Sequence, residues 1–114
     1  MYNQLAIMTN GHQKIDMMVK RIVSEFHPLK VILFGSYACG AANFDSDVDL
    51  LVVMDVKGSK RKQAAKIDAS LADRDIPLDL IVVTPQEFEQ YRDIAGHILY
   101  PAVRQGRVLY ERSA

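Results

Sequence analysis

The chain has 114 residues, 49% of them hydrophobic and 25% charged, with Lys plus Arg and Asp plus Glu balanced at 14 each. That length fits a single domain over residues 1–114, with one modest core and little room for a second lobe. Zero net charge speaks against bulk attachment to nucleic acid or to an anionic membrane, and the single cysteine, Cys39, excludes an internal disulfide and a cysteine-rich metal site.

Ile15, Met18, Val19, Ile22, Val23 and Phe26 recur at steps of three and four, the pattern of one apolar helix face, which Pro28 ends. Val31 to Phe34 reads as a short strand stopped by Gly35. A short helix is expected from Ser36 to about Ala42, and Asn43 to Ser46 reads as a turn. Val48 to Met54 is apolar at nearly every position, as in a strand buried on both faces.

Gly58-Ser59 opens a helix expected to run to about Asp75, with Ala64, Ile67 and Leu71 inward. After Pro77, Leu78 to Val83 is a third strand. Thr84-Pro85-Gln86-Glu87 spells a helix start: Thr84 caps, Pro85 takes the first helical position and Glu87 completes a capping box. Phe88 and Tyr91 face the core from that helix. Gly106 breaks the tail, and Val108 to Tyr110 adds a short final strand. Alternating helices and strands predict an α/β (α+β) architecture, a small sheet covered by helices.

Two features interrupt the apolar strands. Asp47-Val48-Asp49 opens the second strand, and residues two apart on a strand point to the same face. Two carboxylates that close repel, and partial burial makes the repulsion worse. A divalent cation relieves both problems, and magnesium favours carboxylate oxygens together with substrate phosphates. Asp79, between Leu78 and Leu80, is a poor strand former that needs a partner or a metal inside such a run. If the second and third strands are neighbours, Asp79 joins Asp47 and Asp49, and three carboxylates suffice for two metals, which clamp the attacking and leaving oxygens of a phosphoryl displacement. Upstream, Gly35 permits close backbone approach to a ligand, and Ser36 at a helix start offers free N–H groups and a hydroxyl to phosphate.

Gly35-Ser36, ten residues, then Asp47-Val48-Asp49 resembles the signature of the DNA polymerase β-type nucleotidyltransferase superfamily, and Leu78-Asp79-Leu80 looks like its third acidic position. The small size resembles the minimal nucleotidyltransferase (MNT) branch, whose members include antitoxins paired with HEPN-domain toxins. The resemblance covers roughly residues 10 to 112. It implies a small mixed sheet of the polymerase β type, with Asp47, Asp49 and Asp79 as catalytic and metal-ligating residues, two magnesium ions, and Gly35 and Ser36 as nucleotide-binding residues. It further implies ATP as substrate, transfer of AMP to a hydroxyl of a partner protein, and a HEPN-type toxin as that partner. The alternatives are an antitoxin that acts by binding alone, and nucleotidyl transfer to a small molecule, whose enzymes usually carry an extra acceptor domain.

The remaining residues have plainer readings. Asp45 and Ser46 are turn formers. Asp79, taken alone, would pair with an Arg such as Arg74 or Arg92. His12, His27 and His97 lack metal-ligand spacing, Cys39 has no cationic partner nearby in sequence, and the five Met residues fill core. No P-loop sequence is present. Lys60, Arg61, Lys62 and Lys66 are read as a solvated basic face, with triphosphate or a partner protein as the functional alternatives. Ile98, Leu99, Tyr100 and Tyr110 suit core packing or an interface. The lone cysteine, the absence of a basic start and long apolar run over Met1 to Gly11, and the shortness of every apolar stretch together imply a cytoplasmic protein with no membrane partner.

Overall fold

The computed structural model describes residues 4–43 and 45–113. Of the segment read for a leader, residues 1–3 lie outside the described residues, as does Phe44 of the expected turn. The helix α1 (Gln4–Phe26) carries the apolar stripe. Ile15, Met18, Val19 and Ile22 are buried along it, with Val23 and Phe26 packed at its margin. It stops at His27, whose φ of 51° leaves the right-handed helical region, immediately before Pro28.

The strands β1 (Lys30–Phe34), β2 (Val48–Val53), β3 (Leu78–Val83) and β4 (Arg107–Glu111) form one sheet in the order β3-β2-β1-β4. β1 is antiparallel to both β2 and β4, and β2 is parallel to β3, so the sheet is mixed, as expected. A parallel neighbour requires a crossover, and the helix α3 (Lys60–Ser70) makes it. The helices α2 (Ser36–Cys39), α4 (Pro85–Tyr91) and α5 (Leu99–Gln105) complete the architecture.

Both faces of the sheet are covered, which explains the nearly unbroken apolar reading of β2. Val31, Leu33, Val48, Leu50 and Val52 meet Ile15 and Ile22 of α1 and Ile67 of α3 on one face. Ile32, Leu51, Val53 and Val83 meet Phe88 of α4 and Leu99 and Ala102 of α5 on the other. Each large side chain so buried contributes roughly 1.5–3 kcal/mol relative to exposure.

The capping box forms as its residues spell it. Glu87 N donates to Thr84 Oγ1 at 3.2 Å, and Thr84 N donates to Glu87 Oε1 at 3.0 Å. Two helix ends and one whole helix differ from the sequence reading. α2 ends at Cys39, because Gly40 takes a left-handed φ of 77°. α3 ends at Ser70 rather than near Asp75, because Arg74 folds back on its end: Nη1 donates to the carbonyls of Asp68 and Leu71, and Nε to that of Ile76. α5 was not expected at all. Its Pro101 lies in the first turn, where a missing N–H forfeits no helical hydrogen bond. Among the described residues no helix is long and apolar enough to cross a membrane.

Candidate active site

The chemistry-bearing residues meet at the end of the sheet where β1 finishes and β2 and β3 begin. In the antiparallel ladder Phe34 stands opposite Asp49. In the parallel ladder Asp49 stands opposite Asp79. Asp49 and Asp79 share the face that carries Leu51, Val53 and Val83, and the α4–α5 layer covers that face farther along the strands. Asp47 immediately precedes β2 and is exposed, Asp49 is half-buried, and Asp79 is exposed on its strand. The structure therefore brings all three carboxylates to one locality.

The electrostatics of that locality are unrelieved. Burial pushes the Asp49 carboxyl above its ordinary value, and the charges of Asp79 and then Asp47 push it further the same way. Among the described residues no cation answers them. Arg74 is paired with Asp68 at 2.8 Å and Arg92 with Glu89 at 3.5 Å, so neither arginine pairs with Asp79. Among the described residues no three acidic, cysteine or histidine side chains form a ready-made cage for an ion. Magnesium is held by one or two carboxylates plus substrate oxygens and water rather than by an all-protein cage. The donor set is hard oxygen only, and a cation here would remove a repulsion that the fold itself leaves standing.

Gly35 closes the site from the β1 side. Its φ is +72°, and a methyl group built on it would overlap Asp49 Oδ2 and stand 3.0 Å from Asp49 Cγ. Only glycine fits, both for the backbone and for the space. The turn that follows is tight: Ala38 N and Cys39 N both donate to the Gly35 carbonyl, and Ala41 N to that of Ser36. α2 is a single turn, too short for a developed macrodipole. Ser36 is half-buried. Beyond this turn, Ser46 Oγ accepts from Asn43 N at 2.9 Å and Asn43 Oδ1 accepts from Asp45 N at 2.9 Å, which makes Asp45 and Ser46 part of the turn leading into Asp47.

The basic run lies elsewhere. β2 leads away from Asp49, and α3 begins beyond its far end. The four steps from Asp49 to Val53 alone span about 13 Å. Lys60 there is ion-paired with Glu87 of α4. Lys60, Arg61 and Lys62 therefore start at the opposite end of β2 from the carboxylates. His97 stacks on Tyr91 with centroids 4.6 Å apart and its Nδ1 accepts from Leu99 N, while His12 meets the Tyr37 ring edge-on. Of the aromatic and aliphatic residues near the C-terminus, Leu99 is buried core, Tyr100 and Tyr110 are half-buried and Ile98 is 53% exposed. Sequence reasoning missed Gly11, which lies against Tyr37 beneath the Gly35–Ser36 turn; the available signal was a glycine in the interior of a helix.

A family model described as nucleotidyltransferase domain matches residues 16–102, a span that contains Gly35, Ser36 and all three aspartates. No curated protein matches the chain. Among solved structures, a Sulfolobus solfataricus protein assigned as a nucleotidyltransferase is similar over 96% of this chain and 84% of its own, at 20% identity and a TM-score of 0.62. A chain from a mutant of the toxin–antitoxin pair MntA–HpeT is similar over 86% of this chain and 73% of its own, at 20% identity and a TM-score of 0.58. A chain from a toxin–antitoxin structure with AMP-PNP is similar over 86% and 74%, at 19% identity and a TM-score of 0.53. At these identities the likeness is one of fold. With a family match over most of its length, and with the acidic triplet and the glycine turn at one end of a mixed sheet, the chain belongs to the nucleotidyltransferase domain family.

Proposed function

We propose that the chain transfers AMP from magnesium-bound ATP to a hydroxyl group of a partner protein, and that the partner is a HEPN-type toxin which the modification neutralises. The observation that carries the metal–nucleotide part is Asp49: half-buried, opposite Asp79, close to Asp47, and repelled by both. In this reading Asp47 and Asp49 hold the metal ions and Asp79 completes the second position. Bound magnesium would screen the phosphate oxygens and orient attacking and leaving groups in line.

Gly35 and Ser36 hold the terminal phosphates, the glycine by letting the chain pass close to Asp49 and the serine through its N–H and hydroxyl. The acceptor oxygen forms a bond to the α-phosphorus, the bond from that phosphorus to the pyrophosphate oxygen breaks, and Asp79 accepts the hydroxyl proton. Asp79 suits that task because it is exposed on a strand at the edge of the sheet, open to an acceptor delivered by docking. Docking supplies the proximity that such a transfer needs. The protein-acceptor part is supported by the fold shared with chains of toxin–antitoxin structures, one of them with AMP-PNP.

The test combines the purified chain, ATP, magnesium and the protein encoded beside it, followed by intact-mass measurement of that protein. Added AMP units, absent with Asp47→Asn, support the proposal. A stable complex of unchanged mass, with full neutralisation by Asp47→Asn, overturns it in favour of an antitoxin that acts by binding alone.

A further inference from the structure

We infer that Gly11 is a positioning residue for the Gly35–Ser36 turn and acts on it through Tyr37. This rests on the reading of that turn as the phosphate-binding element. Gly11 lies in the interior of the 23-residue α1, a place where glycine weakens a helix relative to alanine. The structure supplies a reason for it. A methyl group at residue 11 would stand 2.6 Å from Tyr37 Cε1 and 3.2 Å from Cζ, closer than carbon atoms pack.

Tyr37 is only 4% exposed and belongs to the same core cluster as Ile15 and Leu33. Its neighbour His12 meets the ring edge-on at 5.9 Å, so the ring is held by the α1 backbone at one residue and by a side chain at the next. Tyr37 follows Ser36 directly, within a helix of four residues. A ring fixed at Tyr37 therefore fixes the backbone of Ser36, and a ring pushed off α1 takes the turn with it. The turn passes close to the site on its other side, since even a methyl group added at Gly35 would overlap Asp49 Oδ2. α1 thereby sets the height of the turn above the aspartates, although it carries none of the groups that would touch a nucleotide.

The experiment reads the turn and the ligand separately. Amide resonances of Gly35 and Ser36 are followed by two-dimensional NMR in wild type, Gly11→Ala, Tyr37→Leu and Gly11→Ala with Tyr37→Leu, and magnesium–ATP affinity is measured calorimetrically in each. Gly11→Ala is expected to move both amides and to weaken ATP binding about tenfold. Added to Tyr37→Leu, where leucine leaves room for the methyl, the same change is expected to move the amides and weaken binding far less. Should Gly11→Ala fold poorly by itself, a double variant that folds and binds ATP as Tyr37→Leu does supports the inference. Unmoved amides in Gly11→Ala, or a methyl that moves the amides of Tyr37→Leu as far as those of wild type, overturn the inference. Amides that move as expected in a protein that binds no ATP, wild type included, support the positioning role and overturn the nucleotide reading instead.

Discussion

Asp49 and Asp79 stand directly opposite each other on adjacent parallel strands, a like-charged pair that no cation among the described residues relieves. The Asp49 carboxyl is raised first by burial, then by Asp79 and by Asp47. A group whose pKa is raised by folding favours the protonated native state, so the fold loses stability as pH climbs from the ordinary value of 3.8 through the raised one. At neutral pH, without divalent cations, Asp49→Asn should therefore melt at a higher temperature than wild type, and the difference should close below about pH 3.5, near the unperturbed carboxylate range. Scanning calorimetry in EDTA reads both. An Asp49→Asn variant no more stable than wild type at pH 7 would mean that the repulsion is already relieved.

The same carboxylates should govern nucleotide binding in the opposite direction. Asp47→Asn and Asp49→Asn each remove a charged oxygen that a hard cation needs. Isothermal calorimetry with ATP, with and without magnesium, is expected to show magnesium-dependent binding in wild type and its loss in either variant. Equal affinities would remove these residues from the site.

Asp79→Asn should separate binding from chemistry. Nucleotide affinity is expected to persist while transfer falls on the order of 10²-fold or more, as for a lost positioned base. Unchanged turnover would leave Asp79 a purely structural acid.

Gly35→Ala should damage both stability and binding. A non-glycine residue at a φ of +72° bears strain of about 1–3 kcal/mol, before the overlap with Asp49 is added. Urea denaturation reads the loss, and calorimetry reads the accompanying loss of ATP binding. A variant as stable as wild type would show that the turn relaxes freely.

Changing Lys60, Arg61 and Lys62 to Gln should leave ATP binding intact, since α3 starts beyond the far end of β2. The lost Lys60–Glu87 pair is partly exposed and contributes less than about 1 kcal/mol, which relief at the helix start offsets. A measurable drop in ATP affinity would contradict the placement of this run.

The elements with local punctuation were legible in the sequence. The Thr84–Glu87 box and the doubly buried strand from Val48 each state their structure in their own residues. α5 was not legible, because Leu99–Gln105 has only seven residues and contains Pro101, so neither period nor propensity marks it. The end of α3 was misplaced because Arg74 replaces helical hydrogen bonds with guanidinium ones, an effect of tertiary position. In the site, Asp47 and Asp49 were local information. Their meeting with Asp79 depended on β2 and β3 being neighbours, which spacing alone leaves open. The distance of the basic run from the aspartates likewise required the strand direction.

The position of β3 at one border of the sheet has a consequence for solubility. Its sequence, Leu-Asp-Leu-Ile-Val-Val, is β-prone, apolar and free of proline, the composition of segments that recruit further strands into aggregates. Asp79 is its sole charge. The carboxylate proposed for the chemistry thus has a second task, since neutralising it leaves this border strand without any charge to oppose self-association.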